Sequence, residues 1–175
     1  MDTAAPIRES AARRLARSDL DAVVAIDSLL EGLTRRTYFE RRLAAALREP
    51  AMHLQFAIDD AGGVAGYILA RVLEGEFGRA APGVRLETIG VRPDARGRHV
   101  GRRLLEALAG ESKRHGIGDL RTAARWNDHA MLRWLDRHGF ALAPNHVVDR
   151  SLDATAVGAP ADRAVTLEDG RGPGR

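Results

Sequence analysis

At 175 residues, with 45% hydrophobic and 29% charged residues, the chain suits one domain with a buried core. No apolar run approaches the roughly 20 residues that a membrane span needs, and the absence of cysteine excludes disulfides, thiolate metal ligands and a cysteine nucleophile. Lys+Arg number 27 against 24 Asp+Glu, a formal +3, but acids are interspersed with the bases and aromatic residues make up only 5%, which argues against nucleic acid as the main ligand.

The opening "MDTAAPIRES" lacks the basic start and apolar block of a secretory signal, so a cytoplasmic protein is expected. After a short N-terminal strand, Ser18 or Asp19 is placed to cap a helix in which Leu20, Val23, Val24, Ile26 and Leu30 recur near helical spacing. A second helix repeats the pattern through Phe39, Leu43, Ala46 and Leu47 and is stopped by Pro50. "HLQFAI" and "VAGYILARVL" read as a hairpin turning at Gly62 and Gly63. The loop "EGEFGRAAPG" carries Glu74 and Glu76, either solvated acids or groups facing whatever approaches the end of the sheet, and "VRLETIGV" is the fourth strand.

From Gly97 a helix is expected through His115, with Val100, Leu104, Leu105 and Leu108 on one side. "DLRTAARW" reads as a fifth strand, "NDHAMLRWLDRHG" as a helix capped by Asn127 or Asp128 and ended by Gly139, and "FALAPNHVVDRSL" as terminal strands. Apolar periodicity is lost after Leu152, so residues 1–152 are expected to form the domain and 153–175 a flexible C-terminal tail.

The stretch "VRPDARGRHVGRRLL" lies where a strand turns into a helix. Backbone N–H groups at a helix start have no intrahelical acceptor, the helix dipole favours an anion, and Gly97 and Gly101 let an oxygen approach the backbone. Arginines add charge-assisted bonds to phosphate. No Gly-Lys-Ser/Thr follows and the G-x-G-x-x-G fingerprint is absent, which leaves either a site for a phosphorylated cofactor or a structural turn.

The same stretch resembles the cofactor loop of the GCN5-related N-acetyltransferases, with Arg96 and Gly101 on the family pattern and His99 where the family usually has its first glycine. A non-glycine residue there demands an unusual φ. A second stretch, "WNDHAMLRWLDRHGF", is similar to the family's Asn-containing helix start and Gly-Phe helix end, and the resemblance runs from about Leu15 to Leu152. It implies an α/β fold: a mixed central sheet splayed between its fourth and fifth strands and flanked by about four helices.

The activity implied is transfer of an acetyl group from acetyl-CoA, as co-substrate, to a primary amine of a protein or small molecule. The pyrophosphate would lie on Arg96, Gly97, Arg98, His99, Val100, Gly101 and Arg102, and the pantetheine arm would pair with Ile89 to Val91 like an added strand. The family's frequent tyrosine acid is missing: Leu135 stands there when counting back from Gly139, Trp134 when counting from Asn127. Thr122, Ala123 and Ala124 stand where some relatives carry a glutamate.

Glu87 is then the most attractive base, a carboxylate in an otherwise apolar strand, where burial raises a carboxylate's pKa toward neutrality. The competing reading is a glutamate paired with an arginine of a neighbouring strand. Asp128, as a further proton-handling candidate, and Asn127, as a cofactor contact, are set against simple helix capping, with His129 beside them. His53, His115, His138 and His146 lack metal-ligand spacing, so no metal is expected, and Trp126 and Trp134 read as core or groove-wall residues. The alternative function is a non-catalytic acyl-CoA sensor or partner-binding module of the same fold, as a monomer or homodimer.

Overall fold

The computed structural model describes residues 11–76, 79–144 and 147–148. The strands are β1 (Arg13–Arg14), β2 (His53–Asp60), β3 (Gly63–Leu73), β4 (Gly83–Val91) and β5 (Leu120–Arg121), and the helices are α1 (Leu20–Glu31), α2 (Arg36–Arg48), α3 (Val100–Arg114) and α4 (His129–Arg137). One mixed sheet has the order β1-β2-β3-β4-β5, antiparallel up to β4 and parallel between β4 and β5. This is the expected splayed α/β architecture.

Helices cover both faces of the sheet, so its central strands are apolar on both sides. Leu54, Phe56 and Ile58 of β2 and Ile68, Ala70 and Val72 of β3 join Val100, Leu104, Leu105 and Leu108 of α3 in one core cluster. The alternate residues Ala57, Tyr67 and Leu69 meet Val23, Val24 and Ile26 of α1 and Phe39 and Leu43 of α2 in the other. Gly66 lets α3 approach: a Cβ there would lie 2.8 Å from Val100 Cγ1 and 2.9 Å from the Gly90 carbonyl oxygen. Among the described residues no helix is long and apolar enough to cross a membrane.

Several boundaries differ from the sequence expectation, each for a local reason. Asp19 precedes α1 without capping it; its carboxylate accepts the Ala16 N–H at 2.8 Å and pairs with Arg13 at 2.7 Å. In the hairpin only Gly63 has a positive φ, 95°, whereas Gly62 lies against the Arg92 guanidinium. Leu47 is exposed on α2 rather than buried. α3 begins at Val100 instead of Gly97, because Gly97 and His99 adopt left-handed φ values of 77° and 57°, which an α-helix cannot contain.

β5 is much shorter than the expected 119–126. Thr122 Oγ1 donates to the Leu86 carbonyl oxygen at 3.1 Å and takes an acceptor that a continuing ladder would use. The terminal strands are absent from 140–144 and 147–148, where Pro144 has no N–H to give a ladder; the rest of that stretch lies outside the described residues, as does the expected tail. Glu76 is not a free loop acid, since it pairs with Arg85 of β4 and Arg121 of β5.

Candidate functional site

The site begins with an irregular step in β4. Ala70 is opposite Leu86 and Leu69 is opposite Thr88, so Glu87 is an extra residue, a β-bulge. Regular pairing then resumes, with Tyr67 opposite Gly90 and Gly66 opposite Val91, and the Arg92 N–H donates to the Ala65 carbonyl at 2.9 Å. Stepping back by twos from Arg92, Gly90 also faces β3. Ile89 and Val91 therefore turn their N–H and C=O groups to the other edge. On that edge β5 pairs only through Val84↔Leu120 and Arg85↔Arg121, so β4 beyond Leu86 has no strand partner among the described residues. Ile89 and Val91, named from sequence, stand on an open strand edge.

That edge leads into the turn before α3. A short 3-10 turn at Pro93–Ala95 is followed by extended Arg96, then Gly97, Arg98 and His99, all four exposed. The Arg103 N–H donates to the His99 carbonyl at 3.0 Å, which leaves the N–H groups of Val100, Gly101 and Arg102 in the first turn without intrahelical acceptors. A Cβ on Gly101 would lie 3.3 Å from Trp134 Cζ2 and 3.6 Å from Val91 Cγ2, so the turn, the end of the β4 edge and α4 converge there. Arg102 pairs with Glu106 at 2.8 Å and Arg98 stands 3.9 Å from Asp60.

Arg92 carries a role that sequence reading missed. Asp60 accepts from its guanidinium at 2.8 and 3.0 Å, Asp94 at 2.5 Å and the Gly62 carbonyl at 3.2 Å. It ties the loop to the β2–β3 hairpin, whereas Arg102 pairs with Glu106 within α3. His99 is the one non-glycine residue with positive φ among the described residues. A left-handed L-residue costs about 1 to 2 kcal/mol, partly offset in glycine by its greater unfolded-state freedom, so His99→Gly is expected to raise stability by about 1 kcal/mol. Urea unfolding checks this, and a loss would mean that the imidazole itself holds the turn.

The catalytic candidates do not stand together. Glu87 is ion-paired with Arg42 of α2 and lies 3.9 Å from Arg71 of β3, with 16% of its side chain exposed. The pairing read as its alternative role is present, at the bulge itself. Asp128 caps α4 by accepting the Met131 N–H at 3.0 Å, and Asn127 is exposed beside it. Leu135 is 6% exposed, whereas Trp134 packs near Gly101 and against His138, with ring centroids 4.3 Å apart. Trp134 is thus the α4 side chain at the turn. Trp126, expected in core or groove wall, is 71% exposed, and the chain between β5 and α4 pairs with no strand among the described residues.

A second missed group lies beneath the edge. Asp27 of α1, 2% exposed, is held by Arg35, whose Nε donates at 2.9 Å, and accepts the Tyr67 hydroxyl at 3.0 Å. Burial pushes the Tyr67 phenol well above its ordinary pKa. A Cβ on Gly90 would lie 2.5 Å from the Tyr67 ring, so Gly90 is required where the strand crosses the tyrosine. The available signal was Asp27 itself, an acid on the apolar face of α1 three and four residues beyond Val24 and Val23.

Comparison with known proteins bears on the fold that carries these residues. The family model described as "Acetyltransferase (GNAT) family" matches residues 20–140. No curated protein matches the chain. Among solved structures, the aminoglycoside N-acetyltransferase AAC(6')-Iy in complex with CoA is 18% identical with a TM-score of 0.70, over 86% of this chain and 100% of that one. An integron cassette protein from the mobile metagenome of Cole Harbour salt marsh is 18% identical with a TM-score of 0.67, over 81% and 90%. The ribosomal-protein-alanine N-acetyltransferase from Brucella melitensis biovar Abortus 2308 is 16% identical with a TM-score of 0.64, over 80% and 98%.

Proposed function

The chain belongs to the GNAT acetyltransferase family, and on that premise we propose that it moves an acetyl group from acetyl-CoA to a primary amine of a protein or small molecule. The observation that carries this reading is the open edge at Ile89 and Val91 running directly into an exposed turn with unpaired helix N–H groups. An extended pantetheine arm suits the first, and a pyrophosphate suits the second.

In this reading the N–H groups of Val100, Gly101 and Arg102 hold the pyrophosphate, and Arg96 and Arg98 add charge. Ile89 and Val91 pair with the arm and leave a backbone donor for the thioester oxygen as it gains negative charge. The attacking amine must lose a proton, and Glu87 is the carboxylate nearest this edge along β4. Neither Trp134 nor Leu135 gives up a proton, so the departing thiolate takes its proton from solvent. The absence of a proton-donating side chain at Trp134 and Leu135, together with the Glu87–Arg42 pair, favours the second reading, an acyl-CoA-binding module without turnover. Acetyl-CoA consumption against an amine panel separates the two.

Arg96→Ala combined with Arg98→Ala is expected to weaken acetyl-CoA binding by about 10- to 100-fold, the loss of one or two charge-assisted phosphate contacts, with the unfolding midpoint nearly unchanged. Calorimetry reads it. Unchanged affinity would remove the turn from the cofactor site.

A further inference from the structure

The face of the sheet beneath α2 holds more positive charge than its acid neutralises. His53 of β2 is directly opposite Arg71 of β3, Arg71 is opposite Arg85 of β4, and Arg42 of α2 reaches the same patch. Glu87 meets both Arg42 and Arg71, while Arg85 is turned away to Glu76. Arg42 is only 14% exposed at its side chain, and its Nε and the Nε of Arg71 are buried with no hydrogen-bond acceptor among the described residues. Burial lowers the pKa of the Arg42 guanidinium, with Tyr38 acting against the shift and Arg71 adding to it, and burial followed by Arg42 lowers that of the His53 imidazole against the pull of Glu49.

The patch continues outward. Arg42 also lines an open hollow of about 440 Å³ along the surface of α2, a shallow cleft between the side chains of Tyr38, Arg41, Arg48 and the small Ala44 and Ala45. Arg41 and Arg48 are exposed and have no acidic partner among the described residues. Arg35 and Arg36 differ, being paired with Asp27 and with Asp21 and Glu40. The cations at the start of α2 are thus balanced, and in the cleft Arg42 has Glu87 while Arg41 and Arg48 have no acid among the described residues.

We propose that this cleft receives a carboxylate of the acceptor, so that the amine acetylated here belongs to a molecule carrying a carboxylate a few bonds from its nitrogen. The inference rests on acetyl transfer at the β4 edge. Glu87, where Arg42 arrives, precedes Ile89 by two residues, about 7 Å along a strand. An acceptor spanning that distance places its carboxylate among the guanidiniums, which bind carboxylates in forked pairs, and its nitrogen at the thioester. Polycationic amines are repelled from the same cleft.

The test uses the full chain loaded with acetyl-CoA and compares β-alanine and glutamate with ethanolamine, phosphoethanolamine and sisomicin. The carboxylate amines are expected to exceed ethanolamine in kcat/KM by at least about tenfold, and Arg41→Gln with Arg48→Gln to reduce that ratio about tenfold, through KM rather than kcat. Preference for ethanolamine or sisomicin, or an unchanged ratio in the double variant, overturns the proposal; preference for phosphoethanolamine replaces the carboxylate by a phosphate and overturns it as well. If acetyl-CoA binds without turnover of any amine, calorimetric titration of glutamate and β-alanine into the loaded protein decides: heat that disappears in the double variant supports the cleft, and no heat overturns it. Failure to bind acetyl-CoA at all would sink acetyl transfer itself, a result distinguishable from each of these.

Discussion

Glu87→Gln is expected to lower acetyl transfer to the best amine by about 100- to 10,000-fold, the range for loss of a general base, while acetyl-CoA affinity changes little. Glutamine keeps the size of the side chain and removes its ability to accept a proton. The substitution also leaves the largely buried Arg42 without its counter-ion, so some loss of stability accompanies it. The double variant Arg42→Gln/Glu87→Gln separates the effects, since it removes the orphaned charge and restores stability without restoring rate. Wild-type-like turnover in Glu87→Gln would transfer proton acceptance to Asp128, His129 or water and leave Glu87 as a structural ion-pair partner.

Asp27→Ala is expected to destabilise the fold by about 3 kcal/mol, the low end for breaking a buried pair, because Arg35 is one-third exposed and can regain water. Much of the cost falls on Tyr67, whose hydroxyl is fully buried and loses its acceptor. Urea unfolding measures it; a loss below about 1 kcal/mol would show that the hydroxyl finds another acceptor. Asp27→Asn retains an acceptor for Tyr67 and is expected to fall between the two.

The sequence made the helices and central strands legible because their apolar residues recur at the spacings their faces require: Phe39 and Leu43, or Leu104 and Leu108, announce which side is buried. The open edge was legible only through family resemblance. No periodicity shows that β5 stops at Arg121, since that depends on Thr122 reaching a carbonyl that is 36 residues earlier in the chain. Ion-pair partners were hidden for the same reason. Arg92 looked like its neighbours in the arginine run, but Asp60, which the fold brings beside it, decides that it is a tether. Glu87 was found as a lone acid in an apolar strand, and the arginine predicted on an adjacent strand proved to be a more distant partner than Arg42, which comes from a helix above.

The bulge at Glu87 gives β4 a fixed arithmetic. A strand that alternates by twos contains here one odd step, and everything downstream depends on it: Gly90 crosses Tyr67, Ile89 and Val91 look outward, and Arg92 reaches back to Ala65. Exchanging Glu87 for another residue alters charge and leaves this phase alone. Were β4 to pair with β3 residue for residue through Glu87, the peptide groups of Ile89 and Val91 would turn toward β3, and Ile89 rather than Gly90 would stand opposite Tyr67, where only hydrogen fits. At this edge the place of the unpaired residue is a stricter requirement than its identity.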